Sequence, residues 1–401
     1  MKERSAANQM DPLGWDYQSR MHGKPLDGDG PSPGEPADWS QCQHGTWWFL
    51  PWHRMYLIQF ERIIRAFTEV SDWALPYWDY PNASEAEIPP SFLTQKSPLY
   101  NSTRTAIRSK YAEPTWQDAG TFTAFGGIAQ KTPAHHGHQA GFLEMNPHNY
   151  VHGFVGGDMG DYQSPLDAVF WIHHCNIDRL WEAWLTQPGR VNPTENIWLD
   201  QTFDFPDPVE SSGRRSLLIS DIVSTAWAGY TYDDVMVAPV RRQFMLADMG
   251  PARQRKDDEL ELLGATTTSG SVQEAAQIGI VPEAAERHRA LLADFAIDND
   301  VPPLYLRLEN VGMESGDASS MWNVYVGQSG SDERFLAGTI APFGLAGLTA
   351  SGGRQTITFD ISGLGAQLLE GDSIEVTSEP AHKRVEGIPF WERAGLYTTA
   401  E

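Results

Sequence analysis

Residues 50–67 read LPWHRMYLIQFERIIRAF, and the reading of this stretch decides the first half of the chain. Pro51 suits the first turn of a helix, where its missing N–H goes unneeded, and His53, Leu57, Phe60 and Ile64 recur on one helical face. The histidine therefore points the same way as the apolar core. A second helix is expected over 166–185, LDAVFWIHHCNIDRLWEAWL. Ile177, Trp181 and Trp184 or Leu185 form its stripe, Arg179 and Glu182 lie off it, and His173 and His174 stand near its start. Between such helices run Pro- and Gly-rich connections such as DGDGPSPGEPADW (27–39), which predicts helices carrying a core with long irregular loops around it.

Beyond residue 300 the period changes to two. Leu304, Leu306 and Leu308 alternate with Tyr305, Arg307 and Glu309, and MWNVYVG (321–327), RQTITFDI (354–361) and DSIEVTS (372–378) alternate likewise. Short strands between Gly-rich turns predict a β-sandwich-like domain. The stretch PARQRKDDELELLGATTTSGS (251–271), charged and then small and polar, reads as exposed linker. The expected organisation is a mainly α site domain over 1–250, a linker over 251–300 and a C-terminal β domain over 301–401.

Composition narrows the function. The chain has 401 residues, more than one core usually serves. Its 29 basic against 53 acidic residues leave a net charge of −24, which repels phosphate backbones and anionic membranes, so nucleic acid and membrane are not expected partners. No apolar run has the length of a membrane helix, and the start MKERSAANQMDPLGWDY lacks an apolar signal core, so a soluble chain without a visible address is expected. Two cysteines, Cys42 and Cys175, make no disulfide framework; a single disulfide between them stays open, as does the compartment.

Twelve histidines are more informative. In EMNPHNYVHGFVGG (144–157), His148 and His152 stand at i and i+4 and can turn both rings to one point if the segment is helical, a geometry that two ordinary helix-face histidines share. The rest of the chain separates these readings. His44 and His53 lie nine apart, His22 lies 22 before His44, and His174 lies 22 after His152, so two groups of three emerge. No carboxylate stands at a ligand-like spacing beside them. That disfavours calcium, magnesium and non-haem iron and fits copper or a catalytic zinc; two such sets favour paired copper, although spacing alone leaves zinc open. His135, His136 and His138 in AHHGHQAG (134–141) are zinc-like in spacing but sit in a Gly-rich loop and are not expected to bind the catalytic metals, and His288 and His382 are expected to be exposed.

CQHGTWWFLPWHRMYLIQFERII (42–64) and PHNYVHGFVGGDMGDYQSPLDAVFWIHHCNIDRLW (147–181) resemble the two copper-binding segments of the type 3 copper proteins: tyrosinases, catechol oxidases and haemocyanins. The resemblance extends through ALPYWDY (74–80) to the tyrosine motif GYTYDD (229–234), with Tyr230 and Tyr232, and so covers roughly residues 10 to 235. MWNVYVG and FLAGTIAPFG (335–344) look more faintly like the C-terminal domain of plant-type polyphenol oxidases. The resemblance implies a four-helix bundle around a dicopper centre, with two copper ions as cofactors, O2 as co-substrate and a phenol as substrate. It makes His22, His44 and His53 the ligands of one copper, with YQSRMHG (17–23) alone supporting His22, and His148, His152 and His174 those of the other. The tandem is resolved by the family ligand standing four residues before the Asp of NID, here Asp178, which leaves His173 as a supporting or core histidine.

Cys42, two residues before His44, resembles the cysteine that forms a thioether with a copper ligand; a buried free thiol is the plain alternative. Cys175 is expected to pack in the core. Glu144 and Asn149 match the pair that orients a base water in the resembled enzymes, against a helix-start carboxylate and a surface Asn. Gly153 leaves room above its copper, Asp178 and Asp79 are expected in hydrogen-bonding roles, and GDYQSP (160–165) is expected to overhang the entrance. The expected activity is that of a polyphenol oxidase, with catechol-only or o-aminophenol oxidation, a haemocyanin-like oxygen carrier and a di-zinc hydrolase as alternatives. Members of the resembled family usually carry some tens of residues ahead of the segment matching MKERSAANQMDPLGWDY, so the expectation is either a truncated start or a domain that manages without them. In plant-type proforms the C-terminal domain shields the site, which makes latency and cleavage near 253–261 another. The oligomeric state stays open.

Overall fold

The computed structural model describes residues 1–23, 33–106, 115–133, 140–235, 260–267, 269–271, 275–283, 286–287, 304–313, 322–331, 333–340, 345, 349, 354–361, 364–380 and 388–399. The chain divides into two compact units, Met1–Asp248 and Met249–Glu401. Among the described residues no helix is long and apolar enough to cross a membrane.

The first unit is built on the two helices read from the sequence, Phe49–Thr68 and Val169–Leu185. The former keeps Pro51 in its first turn and buries His53, Leu57, Phe60 and Ile63. It stops at Glu69, whose φ of 56° is left-handed. The latter is buried nearly all round: Arg179 is 9% and Glu182 2% exposed, although both lie off the apolar stripe. Ion pairs make that burial tolerable. Arg54 meets Asp178 at 2.5 Å and Glu182 at 2.9 Å, so the first helix supplies the cation for the second helix's carboxylates. Apolar contacts pack the same pair, with the rings of Phe60 and Trp171 stacked 3.4 Å apart. Shorter helices at Trp15–His22 and Tyr150–Val155 and an antiparallel pair, Thr202–Pro206 with Arg214–Leu218, complete the frame.

In the second unit the described residues form a ten-stranded antiparallel sheet. Its longest strand, Leu304–Met313, pairs with Arg393–Thr399 and Gln355–Asp360, setting Leu306 opposite Leu396 and Phe359. Ser373–Pro380 lies between Trp322–Gln328 and Ala276–Ile280. The two-residue period is read out as burial: Leu304, Leu306, Leu308, Val324, Val326, Ile374 and Val376 are each 0% exposed. The expected linker over 251–300 is not linker throughout, because Leu260–Ala265, Gly270–Ser271 and Ala276–Ile280 are strands of this sheet. Leu263 and Ile278, both 0% exposed, are their inward residues. The small and charged neighbours of these two residues masked a pattern too short to stand out in composition. The preceding charged residues, 251–259, lie outside the described residues.

Candidate metal centre

Six histidines from separate elements gather as two neighbouring sets. His22 ends the helix Trp15–His22, His44 stands in the connection before Phe49, and His53 lies in the second turn of the helix Phe49–Thr68. His148 belongs to a wide turn, Glu144–Asn149, which runs into the helix Tyr150–Val155 that carries His152; His174 comes from Val169–Leu185. The rings of His22, His44 and His53 have centroids 5.1 to 5.4 Å apart, and those of His148, His152 and His174 4.5 to 5.4 Å apart. The two sets face each other, with His53 stacked on His174 at 4.5 Å. Donor atoms of His22, His53 and His174 also lie within 4.8 Å of one another, as do those of His148, His152, His173 and His174.

Ring orientation makes this a donor set. His22 Nδ1 donates to the Tyr162 carbonyl at 2.7 Å, His53 Nδ1 to Phe49 at 2.8 Å, and His152 Nδ1 to Met159 at 2.7 Å. Each of these imidazoles thereby carries its proton on Nδ1 and presents the Nε2 lone pair inward, the form that binds a metal. His148 Nε2 and His152 Nε2 lie 3.3 and 3.2 Å from His174 Nε2. Ring nitrogens gathered this closely are what a common cation would hold together. Burial pushes the His53 imidazole down to about 3, and burial followed by neighbouring imidazoles pushes His148, His152 and His174 well below the usual histidine range. Neutral imidazole is the ligating state, so the donor set fits a copper or zinc pair.

Glu144 is 2% exposed, and its two carboxylate oxygens accept from the Gly45 N–H at 2.8 and 3.0 Å, which ties it to the residue after His44. Burial pushes its carboxyl up to about 8 against the opposing pull of that hydrogen bond. Asn149 Oδ1 accepts from His148 Nδ1 at 2.8 Å. Cys42 Sγ lies 3.2 Å from His44 Nδ1, and neither Cys42 nor Cys175 forms a disulfide. Gly153 is buried in the short helix with His152. Asp178 accepts from Arg54 and from the hydroxyls of Tyr230 and Tyr232 at 2.5 and 2.7 Å, and Asp79 pairs with Arg179 at 3.2 Å. Tyr162, in the loop expected at the entrance, has its ring 5.4 Å from His44.

Sequence reasoning passed over Phe49 and Phe170 as site residues. Phe49 lies 4.7 Å from both His53 and His148, and Phe170 lies 4.1 Å from His174. Each precedes a site histidine by four residues on a helix, and that spacing was the available signal. His173 lies closer to the centre than a core histidine would, with its ring 4.8 Å from His152, and it also faces Tyr80. His135, His136, His138, His288 and His382 fall outside the described residues.

The family model for the common central domain of tyrosinase matches residues 12–139 and 91–187, and a domain of unknown function, DUF7868, matches 259–386. The chain is 33% identical over 419 residues to tyrosinase HcTyr1 of Hahella sp. (strain CCB-MM4), covering 91% of this chain and 84% of that one. It is also 33% identical over 230 residues to the chloroplastic polyphenol oxidase of Vitis vinifera, but spans only 38% of that protein. Among solved structures, latent aurone synthase superposes with a TM-score of 0.64 at 22% identity, covering 99% of this chain and 86% of that one. Latent apple tyrosinase superposes equally well, 0.64 at 20% identity over 98% of this chain and 92% of that one, so the fold is shared along nearly the whole length. Taken with the histidine geometry, these matches show that the chain belongs to the tyrosinase family.

Proposed function

We propose that this protein is a polyphenol oxidase in which His22, His44 and His53 hold one copper and His148, His152 and His174 the other. The reading rests on the convergence of buried imidazoles, of which His22, His53 and His152 have their Nδ1 protons held by backbone carbonyls and His148 by the Asn149 side chain. The helices Trp15–His22, Phe49–Thr68, Tyr150–Val155 and Val169–Leu185 are then the bundle around the pair. Phenol oxidation with O2 at a copper pair is the activity of the family, and bound copper supplies the electrons for O2 and an anchor for a phenolate oxygen.

The chain's own residues do the remaining work. Phe49 and Phe170 wall the histidines with apolar surface and limit the entry of water. Glu144, fixed by Gly45, and Asn149, fixed by His148, keep an acceptor and an amide donor for a water that takes the phenol proton. His173 supports the second set of ligands. Cys42 is placed to form a thioether with the His44 ring, its S–H and a ring C–H giving up two electrons and two protons to O2, the oxidant of the proposed activity, and a chain lighter by two hydrogens in intact mass, localised to peptides holding both residues, is the expected sign.

The deciding experiment measures metal content and oxygen uptake together. Copper-loaded protein is expected to hold two coppers per chain and to consume O2 with a catechol and with a monophenol. His148→Ala and His53→Ala should each lose copper and turnover. Retention of zinc with no oxygen uptake would overturn the reading, and reversible O2 binding without turnover would make the protein a carrier.

A further inference from the structure

We propose that Asp158 is a positioning residue that holds one histidine of each copper set at once, through the loop that it braces; this rests on the ligand assignment above. Two of the Nδ1–H acceptors belong to a single loop. Met159 accepts from His152 and Tyr162 accepts from His22, each at 2.7 Å, and these histidines arrive from different helices and serve different coppers. The two carbonyls stand three residues apart, so a displacement of the loop turns both rings.

Asp158 links the two ends of that loop. Its Oδ2 accepts from Asn101 Nδ2 at 2.7 Å and its Oδ1 accepts from Gln163 Nε2 at 3.3 Å, so the residue before Met159 is tied through one carboxylate to the residue after Tyr162 and to Asn101. Its backbone N–H donates to Thr103 Oγ1 at 3.0 Å. The loop is pressed against segment 101–105: Gly156 and Gly157 take φ of +64° and +60°, and a Cβ on Gly157 would stand 2.2 Å from the Thr103 carbonyl oxygen. On the other side, a Cβ on Gly23, the residue after His22, would stand 2.6 Å from Tyr162 Cβ. The loop is therefore a clamped acceptor rail. Groups that orient the outer nitrogen of a ligand histidine typically change metal affinity by about 10–100-fold when removed. Because Asp158 acts on two such groups, its loss should weaken both coppers together.

The test challenges copper-loaded full-length protein with a competing chelator and follows the copper remaining per chain, with the paramagnetic signal of half-loaded Cu(II) as the reporter of unequal loss. In Asp158→Ala both coppers should leave together at about a tenth of the wild-type chelator concentration. The rise in Tm on copper loading should shrink, while the Tm of the metal-free variant stays near wild type. Asp158→Asn, which keeps an acceptor for Asn101, should recover part of the loss. Gln163→Ala loosens only the Tyr162 end and should accumulate a half-loaded form; it serves as the test should Asp158→Ala fail to fold. Wild-type copper retention in Asp158→Ala and Gln163→Ala, or equal losses of Tm in the metal-free and loaded forms, would overturn the proposal. A wild-type chain that fails to bind two coppers would instead overturn the ligand assignment itself.

Discussion

Glu144 joins two arguments about single residues. Its carboxylate takes the Gly45 N–H, which anchors the residue following His44, and the same group is the candidate acceptor for a base water. The two roles separate by substrate. A catechol can be oxidised with less dependence on that base, whereas hydroxylating a monophenol requires its phenolic proton to leave first. Glu144→Gln keeps the size of the side chain and can still accept from Gly45, so it is expected to lower monophenol hydroxylation about 10²-fold, the scale of one general base, and catechol oxidation far less. Parallel rates of oxygen uptake with the two substrates would show this, and equal losses would reassign Glu144 to positioning alone.

Between elements, the buried cation of Arg54 is the main tie. It lies on the helix Phe49–Thr68 with its side chain 0% exposed, meets Asp178 and Glu182 of Val169–Leu185, and sits 3.7 Å from the centroid of the Trp181 ring. Tyr230 and Tyr232 donate to Asp178, which secures the tyrosine motif to the same pair of helices. Arg54→Ala would leave two carboxylates buried without their cation, and a loss of about 3–5 kcal/mol is expected from urea unfolding of the metal-free protein. The end of the motif is pinned differently. The Arg179 guanidinium hydrogen-bonds Asp234 and holds its carboxyl below the usual range, although partial burial opposes this. A carboxyl depressed in the folded state stabilises fully above its unfolded pKa of about 3.9 and loses that contribution as pH falls through the lower folded value. Asp234→Asn should therefore lose less Tm than wild type between about pH 4.5 and 2.5, and matched slopes would show that the pair adds nothing to stability.

On the scale of the whole molecule, the two units have separate cores. The second is organised around Leu304, Leu306 and Leu308 with Val324, Val326, Ile374 and Val376. Leu306→Ala should cost that unit about 2–5 kcal/mol, lowering its thermal transition while copper per chain stays at the wild-type value. Loss of copper in that variant would show that the units depend on each other for folding. The expectation of latency is tested at the same scale. Limited proteolysis within 253–261 should raise turnover with catechol if residues 249–401 restrain the enzyme, and full activity of the uncut chain would remove that idea.

Periodicity and spacing made much of this legible. A helical repeat placed His53 among Leu57 and Phe60, a two-residue repeat placed Leu304, Leu306 and Leu308 in a sheet, and the motifs around His44 and His174 pointed to the family, because each is written in residues close together in the chain. Composition failed at 260–280, where short strands lay within a polar segment, and the stripe left the burial of Arg179 and Glu182 undecided, since it depends on partners far away in sequence. The sequence by itself determined the family and the two long helices on which His53 and His174 stand. Only the tertiary structure decided which histidine rings meet, and it set the tautomer of His22, His53, His148 and His152. It also brought Glu144 to Gly45 and His22 to the Tyr162 carbonyl of the loop that His152 meets locally, because these two contacts join segments 99 and 140 residues apart that no local pattern can encode.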